Sequence, residues 1–336
     1  MRDVTITAVR DRVRDDFGLD VETLEPVTRH ATARLWRATA GQCRYAVRWT
    51  SAATPAAQLA LALARTIPQR PRDVLAAPAV LAAPVLTRTG ATATDHDGGR
   101  LSVAPWLDGP TGRDVTLTLA QWTAFGRLVA HVHALDVASV PGLVRESFDP
   151  GQAIAQAFTV DDEVTRALRD SPDTVARASA EVWAAARPRV EAVRARAARV
   201  GHRLREQGRD VPFVVCHADA HVGHVVATGP QDVALLDWEH ARVAPPECDL
   251  LFVLGGALPH GPGTLEDAAA FFTGYGRVDI DADRLAYARC VRALQDLVSA
   301  ARTALAVSVP LARRTAALRG LTQRLGPDAM AAAALE

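Results

Sequence analysis

The chain has 336 residues, more than one typical domain needs and fewer than three, so two lobes or domains are expected. Its 49% hydrophobic content supports a full core, and the balance of 38 basic against 38 acidic residues argues against a general binder of nucleic acid or other polyanions. There is no lysine, and alanine and arginine are heavily used, so a single Ala or Arg is weak evidence by itself.

Charges at helical spacing over residues 3–17 predict a short first helix. Leu24–Val27, Arg34–Thr39 and Arg44–Thr50 read as strands, the last alternating well in RYAVRWT. PAAQLALALARTI (55–67) reads as a helix with a proline near its first turn. Val80–Thr87 and Arg100–Ala104 read as strands flanking the turn-rich HDGG at 96–99. After PWLDGPTG (105–112) the pattern turns helical, with an amphipathic helix over 117–135. Residues 151–207 read as helical, with breaks near Ser171-Pro172 and Arg187-Pro188. FVVCH (213–217), HVVAT (224–228) and VALLD (233–237) are short strand-like runs, and helices resume from 247. The arginines of 284–324 read mostly as a solvated face.

The order of elements is α+β rather than alternating βαβ, with a boundary near residue 107. Cys43, Cys216, Cys248 and Cys290 are far apart and form no CxxC pair, which fits reduced thiols. The N-terminus lacks the apolar run of a signal peptide, and no uncharged apolar stretch of about 18 residues offers a membrane span. The expectation is a cytoplasmic protein that binds neither nucleic acid nor membrane.

The chemistry concentrates in HADAHVGH, residues 217–224. In an extended segment, side chains two apart share a face, which groups His217, Asp219 and His221 and leaves His224 at the far end. Asp237 follows at the end of the apolar run VALLD. Two carboxylates with separate tasks suit phosphoryl transfer, one orienting the acceptor hydroxyl and the other holding metal on phosphates. Either acid alone would pass for an ordinary strand-end residue.

The order His217-Ala-Asp219-Ala-His221-Val-Gly-His224, then Asp237-Trp238, resembles the aminoglycoside-phosphotransferase-like kinases of the protein-kinase-like fold. Their pattern is roughly HGDxHxxN, then DW or DF. PPECDL (245–250) resembles the family's P-x-x-D-L, with Asp249 as a buried loop-anchoring acid. HVHALD (131–136) resembles the end of the first large-lobe helix, and PWLDG (105–109) the segment after the hinge. The resemblance implies a bilobal α+β fold. Residues 1–107 would be a small antiparallel-sheet lobe for the nucleotide, including the hinge. Residues 108–336 would be a larger helical lobe with the catalytic loop and acceptor site. It further implies Asp219 as the catalytic aspartate that orients the acceptor hydroxyl, and His224 and Asp237 as ligands of Mg²⁺. Arg48 would bind phosphates, and the base of ATP or GTP would lie along the backbone near Ala104 and Trp106. His217 reads as a loop organiser and His221 as packing.

Several positions depart from the pattern. His224 replaces the usual Asn, Arg48 the strand Lys, and no acid lies between residues 51 and 72 where the Lys partner is expected. The loop TRHATAR (28–34) has no glycine. Gln58, near the place of that missing acid, reads as a solvated helix position. A histidine can ligate a divalent ion, and a buried histidine bonded to backbone would look the same in sequence. HVGHVV, DWEHARV and the strand arginine are similar to the macrolide phosphotransferases, a branch of the family. The basic C-terminal region disfavours a polycationic acceptor. The expected function is therefore phosphorylation of a macrolide hydroxyl by a monomer using GTP or ATP. The alternatives are a kinase for another antibiotic, a sugar or a natural-product intermediate, a kinase fold that only binds, or a hydrolase using HADAHVGH as a metal nest.

Overall fold

A computed structural model describes residues 5–29, 33–51, 85–140, 142–207, 212–255 and 264–336. They divide into two compact units, one of residues 1–144, 214–243 and 269–276, the other of residues 145–213, 244–268 and 277–336.

In the first unit, helix α1 (Ile6–Phe17) is capped by Thr5, which accepts the Ala8 N–H. Gly18 ends it at φ +70°, returning its N–H to the Arg14 carbonyl. Val9, Val13 and Phe17 fall on one face and are buried. That face packs on a five-stranded sheet built from β1 (Thr23–Arg29), β2 (Ala33–Ala40), β3 (Cys43–Ser51), β4 (Thr94–His96) and β5 (Gly99–Pro105). The strand order is β1-β2-β3-β5-β4, antiparallel throughout. Alternation along the strands puts Trp36, Ala38, Val47, Trp49, Leu101 and Val103 into the shared core. At about 1.5–3 kcal/mol for each large side chain buried, this layer holds the sheet that carries Arg48.

The sequence reading places strands at 80–87 and 100–104 on either side of HDGG; in the structure the strand that leads into this turn and pairs with β5 is Thr94–His96. The two strands meet at Asp97-Gly98, with φ +46° and +71°, as a two-residue primed turn requires. Val85 donates to the Val103 carbonyl at 2.9 Å, but residues 85–87 are not in a strand. The expected helix at 55–67, Gln58, residues 80–84 and residues 30–32 of the loop at 28–34 lie outside the described residues.

Helix α2 (Leu119–His133) starts with a reciprocal capping box between Thr118 and Gln121. It meets the helix Leu265–Tyr275 backbone to backbone. A Cβ on Gly126 would stand 2.0 Å from the Phe271 carbonyl oxygen, and one on Gly274 would stand 1.9 Å from that of Thr123. The Gln121 side-chain amide donates to the Gly229 carbonyl at 2.8 Å, fixing the turn at Gly229 to the same helix.

The second unit is helical. The helices Gly151–Asp170 and Thr174–Glu206 pack against each other and against Ala282–Leu305. The sequence reading breaks the second of these at Arg187-Pro188, but the helix runs through Pro188. Proline forfeits a ladder hydrogen bond there. Trp183 and Val190 on either side are fully buried, and Trp183 donates to Asp161 at 2.7 Å, so packing overrides the local penalty. The mostly solvated face expected for the arginines of 284–324 needs correction at two positions. Arg284 pairs with the fully buried Glu247 through bonds of 2.9 and 3.1 Å, and Arg314 is 3% exposed. Among the described residues no helix is long and apolar enough to cross a membrane, and all four cysteines are free.

Arg314 donates to both oxygens of Asp173, which caps the long helix by accepting the Ala176 N–H at 2.7 Å. The Arg314 bond first, then the cap, lower the Asp173 carboxyl from 3.8 to about 2. A carboxyl lowered by folding stabilises above its unfolded pKa and loses that contribution as pH falls through its folded value. Arg314→Met is therefore expected to melt below the parent at pH 7, with the gap narrowing as pH drops from about 4 to about 2. Circular-dichroism melts across that range check this; a gap independent of pH would show that Asp173 ionisation is not involved.

Candidate active site

The site grows from four short strands: β6 (Val214–Cys216), β7 (Val225–Ala227), β8 (Val233–Leu235) and β9 (Arg242–Ala244). β6 pairs with β9, and β7 pairs antiparallel with β8. The chain leaves β6 at His217 and turns at Ala218, which has φ +62°. The left-handed region costs a residue with a Cβ roughly 1–2 kcal/mol. The turn brings the Asp219 N–H to Nδ1 of His217 at 3.1 Å, while Nε2 of His217 meets the Leu236 carbonyl at 2.7 Å. An amide N–H only donates and a carbonyl only accepts, so His217 carries its proton on Nε2. Its ring also sits edge-on to Trp238, with centroids 4.6 Å apart.

The next residues coil rather than extend. The His221 N–H donates to the Asp219 carbonyl at 2.8 Å and the His224 N–H to the His221 carbonyl at 2.9 Å. This tight turn folds His224 back onto His221, with ring centroids 4.0 Å apart. The extended reading, with His224 at the far end, is thereby corrected. Gly223 is required, because a Cβ there would stand 2.9 Å from the His221 ring. His224 Nδ1 donates to the Asp219 backbone carbonyl at 3.0 Å. That leaves Nε2 with its lone pair directed to the other side, 3.7 Å from Asp237 Oδ2.

Asp237 is brought there by the β7–β8 register. Val225 pairs with Leu235, and the Leu236 N–H donates to the His224 carbonyl at 2.9 Å. Asp237 itself has φ +64°, so two of the four described non-glycine residues at positive φ flank this site. Such outliers cluster where surrounding structure over-determines a functional geometry. The two acids differ in setting. Asp219 is 7% exposed, with its carboxylate 3.7 Å from His221 Nε2 and from His224 Nδ1. The Asp237 side chain is 42% exposed and stands 3.7 Å from an Arg48 nitrogen. Burial lowers the Arg48 pKa and the Asp237 charge opposes that shift.

The structure thus brings Asp219, His224, Asp237 and Arg48 together. Ala104 lies on β5 two residues beyond Ser102, the register partner of Arg48. Trp106 follows, but its N–H is committed to the Arg44 carbonyl at 2.9 Å, so it can offer its ring and carbonyl rather than a backbone donor. Asp249 is buried, as its motif implies. Two features were not read from sequence: the stacking of His221 on His224 and the strain at Ala218. The second had a signal, since the family pattern has glycine where this chain has Ala218. A carboxylate oxygen and a neutral imidazole nitrogen 3.7 Å apart can share a divalent cation about 2.1 Å from each, so Asp237 and His224 fit such an ion.

The sequence model of the Phosphotransferase enzyme family matches residues 23–290. The chain belongs to that family. It is a small-molecule phosphotransferase, a kinase, and its mixed fold is the kinase-like one of its structural neighbours. A spectinomycin phosphotransferase, APH(9)-Ia, solved with ADP and spectinomycin, is 17% identical with a TM-score of 0.76, covering 99% of this chain and 98% of its own. Macrolide 2'-phosphotransferase MphH from Brachybacterium faecium is 19% identical with a TM-score of 0.54, covering 94% and 98%. Amicoumacin kinase hAmiN, solved with AMP-PNP and Ca²⁺, is 14% identical with a TM-score of 0.58, covering 95% and 92%. A search of curated proteins finds no match.

In this phosphotransferase the strain at Ala218 is directly testable. Ala218→Gly is expected to stabilise the chain by up to about 1 kcal/mol, a rise in Tm of about 1–2 °C by calorimetry. An unchanged or lower Tm would mean that the loop relaxes elsewhere.

Proposed function

We propose that the protein transfers the γ-phosphoryl group of ATP or GTP to a hydroxyl of a small-molecule antibiotic. The observation that carries this reading is the pair of differently placed acids: Asp219, buried and anchored, and Asp237, more open, on the other side of His224.

Asp219 orients the acceptor hydroxyl and takes its proton as the oxygen attacks. Its burial, and a backbone held at both N–H and carbonyl, keep that carboxylate at one position. His224 Nε2 and Asp237 would hold Mg²⁺, which would neutralise charge on the phosphates. Arg48 binds the phosphates with a planar fork in place of a lysine point charge. The base lies along Ala104 and against Trp106. Residues 1–107 act as the nucleotide lobe and residues 108–336 as the acceptor lobe of a cytoplasmic monomer. Phosphoryl transfer asks little covalent help of a protein, so positioning and charge supply the rate.

A macrolide is the acceptor that the HVGHVV and DWEHARV segments and Arg48 favour. A second reading, an aminocyclitol of the spectinomycin kind, is favoured by the higher TM-score, 0.76 against 0.54.

Mass spectrometry of macrolides, spectinomycin, aminoglycosides and simple sugars incubated with the protein, Mg²⁺ and either nucleotide tests the proposal. One acceptor class is expected to gain a single phosphoryl group. Asp219→Ala should lower that turnover by about 10²–10⁴ while nucleotide affinity is kept. Transfer that survives the substitution would remove Asp219 from the mechanism. Absence of product from every acceptor would count for a kinase fold that only binds.

A further inference from the structure

The tight turn after Asp219 assembles more ligating atoms than the Asp237–His224 pair uses. Asp219, His221 and His224 each offer one ligand atom, and these three lie within 4.8 Å of one another. His221 Nε2 is 3.7 Å from Asp219 Oδ1, and His224 Nδ1 is 3.7 Å from Asp219 Oδ2. Two donors each about 2.1 Å from one ion stand about 3.4 Å apart at the tetrahedral angle, so these two contacts, made to the two oxygens of one carboxylate, need to close by only a few tenths of an ångström, and the two imidazole nitrogens lie within 4.8 Å of each other.

We propose that Asp219, His221 and His224 form an inhibitory site for a transition-metal ion of the Zn²⁺ type, mutually exclusive with the cation that His224 and Asp237 share. Two imidazoles and one carboxylate form a borderline-soft set that suits Zn²⁺, whereas Mg²⁺ demands an octahedron of oxygens. Three protein ligands leave one position open, the usual form of an accessible zinc site. The set is partly preorganised. Asp219 and His221 are buried and Gly223 lets the turn close, while one of the two rings, now stacked at 28°, turns so that both nitrogens face a single ion. His217 is not part of it, because both of its nitrogens are committed to backbone. To bind through Nδ1, His224 surrenders its hydrogen bond to the Asp219 carbonyl and carries its proton on Nε2 instead, the nitrogen that faces Asp237, so one neutral ring cannot serve both ions. An ion held there occupies the Asp219 carboxylate and withdraws it from the acceptor hydroxyl. This inhibitory half rests on the proposed role of Asp219; the metal site does not.

The test is calorimetric titration of the full chain with ZnCl₂, without nucleotide, in a Cys43→Ser background that removes the exposed thiol. One Zn²⁺ per chain is expected, not displaced by millimolar Mg²⁺. Tetrahedral Co²⁺ absorption should appear on Co²⁺ substitution. His221→Gln should weaken zinc at least about tenfold, and Asp237→Asn should leave zinc affinity within about twofold. His221→Ala serves if the glutamine variant fails to fold. Zinc binding that ignores His221, or no stoichiometric binding, overturns the site. Once an acceptor is in hand, Zn²⁺ should inhibit turnover, a chelator should restore it, and His221→Gln should resist. Zinc bound at His221 without inhibition would overturn the inhibitory half alone, and failure to find any acceptor would leave the binding result standing.

Discussion

One imidazole ring ties the two acids of the site together. His217 accepts the Asp219 N–H on Nδ1 and donates through Nε2 to the carbonyl of Leu236, the residue before Asp237. The ring is 1% exposed, so cutting either bond would leave a buried polar group unsatisfied, a loss of about 1–3 kcal/mol. Trp238 reinforces the same junction by packing on that ring while its own indole N–H donates to the Leu235 carbonyl. The acids are therefore positioned through backbone amides and carbonyls, whose geometry does not depend on ionic strength or side-chain charge. The two left-handed residues, Ala218 and Asp237, sit directly beside these anchors. The hydrogen bonds hold strain that neither segment would keep alone.

Periodicity made the framework legible. Trp36 and Ala38, Val47 and Trp49, Leu101 and Val103 alternate as strand residues do, and all point into one core. What period cannot supply is the identity of a partner. β4 has three residues and no apolar alternation, so nothing in TDH marks it as the partner of β5. Pro188 reads as a breaker because local propensity is all that a dipeptide displays, while Trp183 and Val190 acquire their burial only on folding. Within HADAHVGH the residue types were legible and the geometry was not. A period of two groups residues 217, 219 and 221, but one tight turn replaces His217 by His224 beside Asp219 and His221.

The composition shaped the site as well as obscuring it. The chain contains neither lysine nor asparagine, so a family position that elsewhere holds either must be filled by another chemistry. At 224 that chemistry is an imidazole whose Nδ1–H is fixed on the Asp219 carbonyl, which directs Nε2 towards Asp237. An asparagine would offer an oxygen without this dependence on tautomer. Arginine abundance carried a different lesson. Arg194, Arg284 and Arg314 are not surface filler, because each meets a carboxylate: Asp161, Glu247 and Asp173 in turn. A biased composition lowers the information in any one arginine but not the electrostatic requirement that a buried one be paired.

The same comparison weighs the two readings of Arg48. A structural guanidinium in this protein looks like Arg284, 14% exposed and bound through two nitrogens to a fully buried carboxylate. Arg48 stands 3.7 Å from Asp237, beyond hydrogen-bond range, and the two side chains are 30% and 42% exposed. Attraction between unit charges at that distance is gross about 4–5 kcal/mol at an effective dielectric near 20. Solvent screening and side-chain entropy reduce such half-open pairs to a net of about 0–1 kcal/mol. The Asp237 contact therefore adds little against the burial that opposes the Arg48 charge in the middle of β3. The phosphates proposed for Arg48 would add a denser anion to that contact and offset more of the burial.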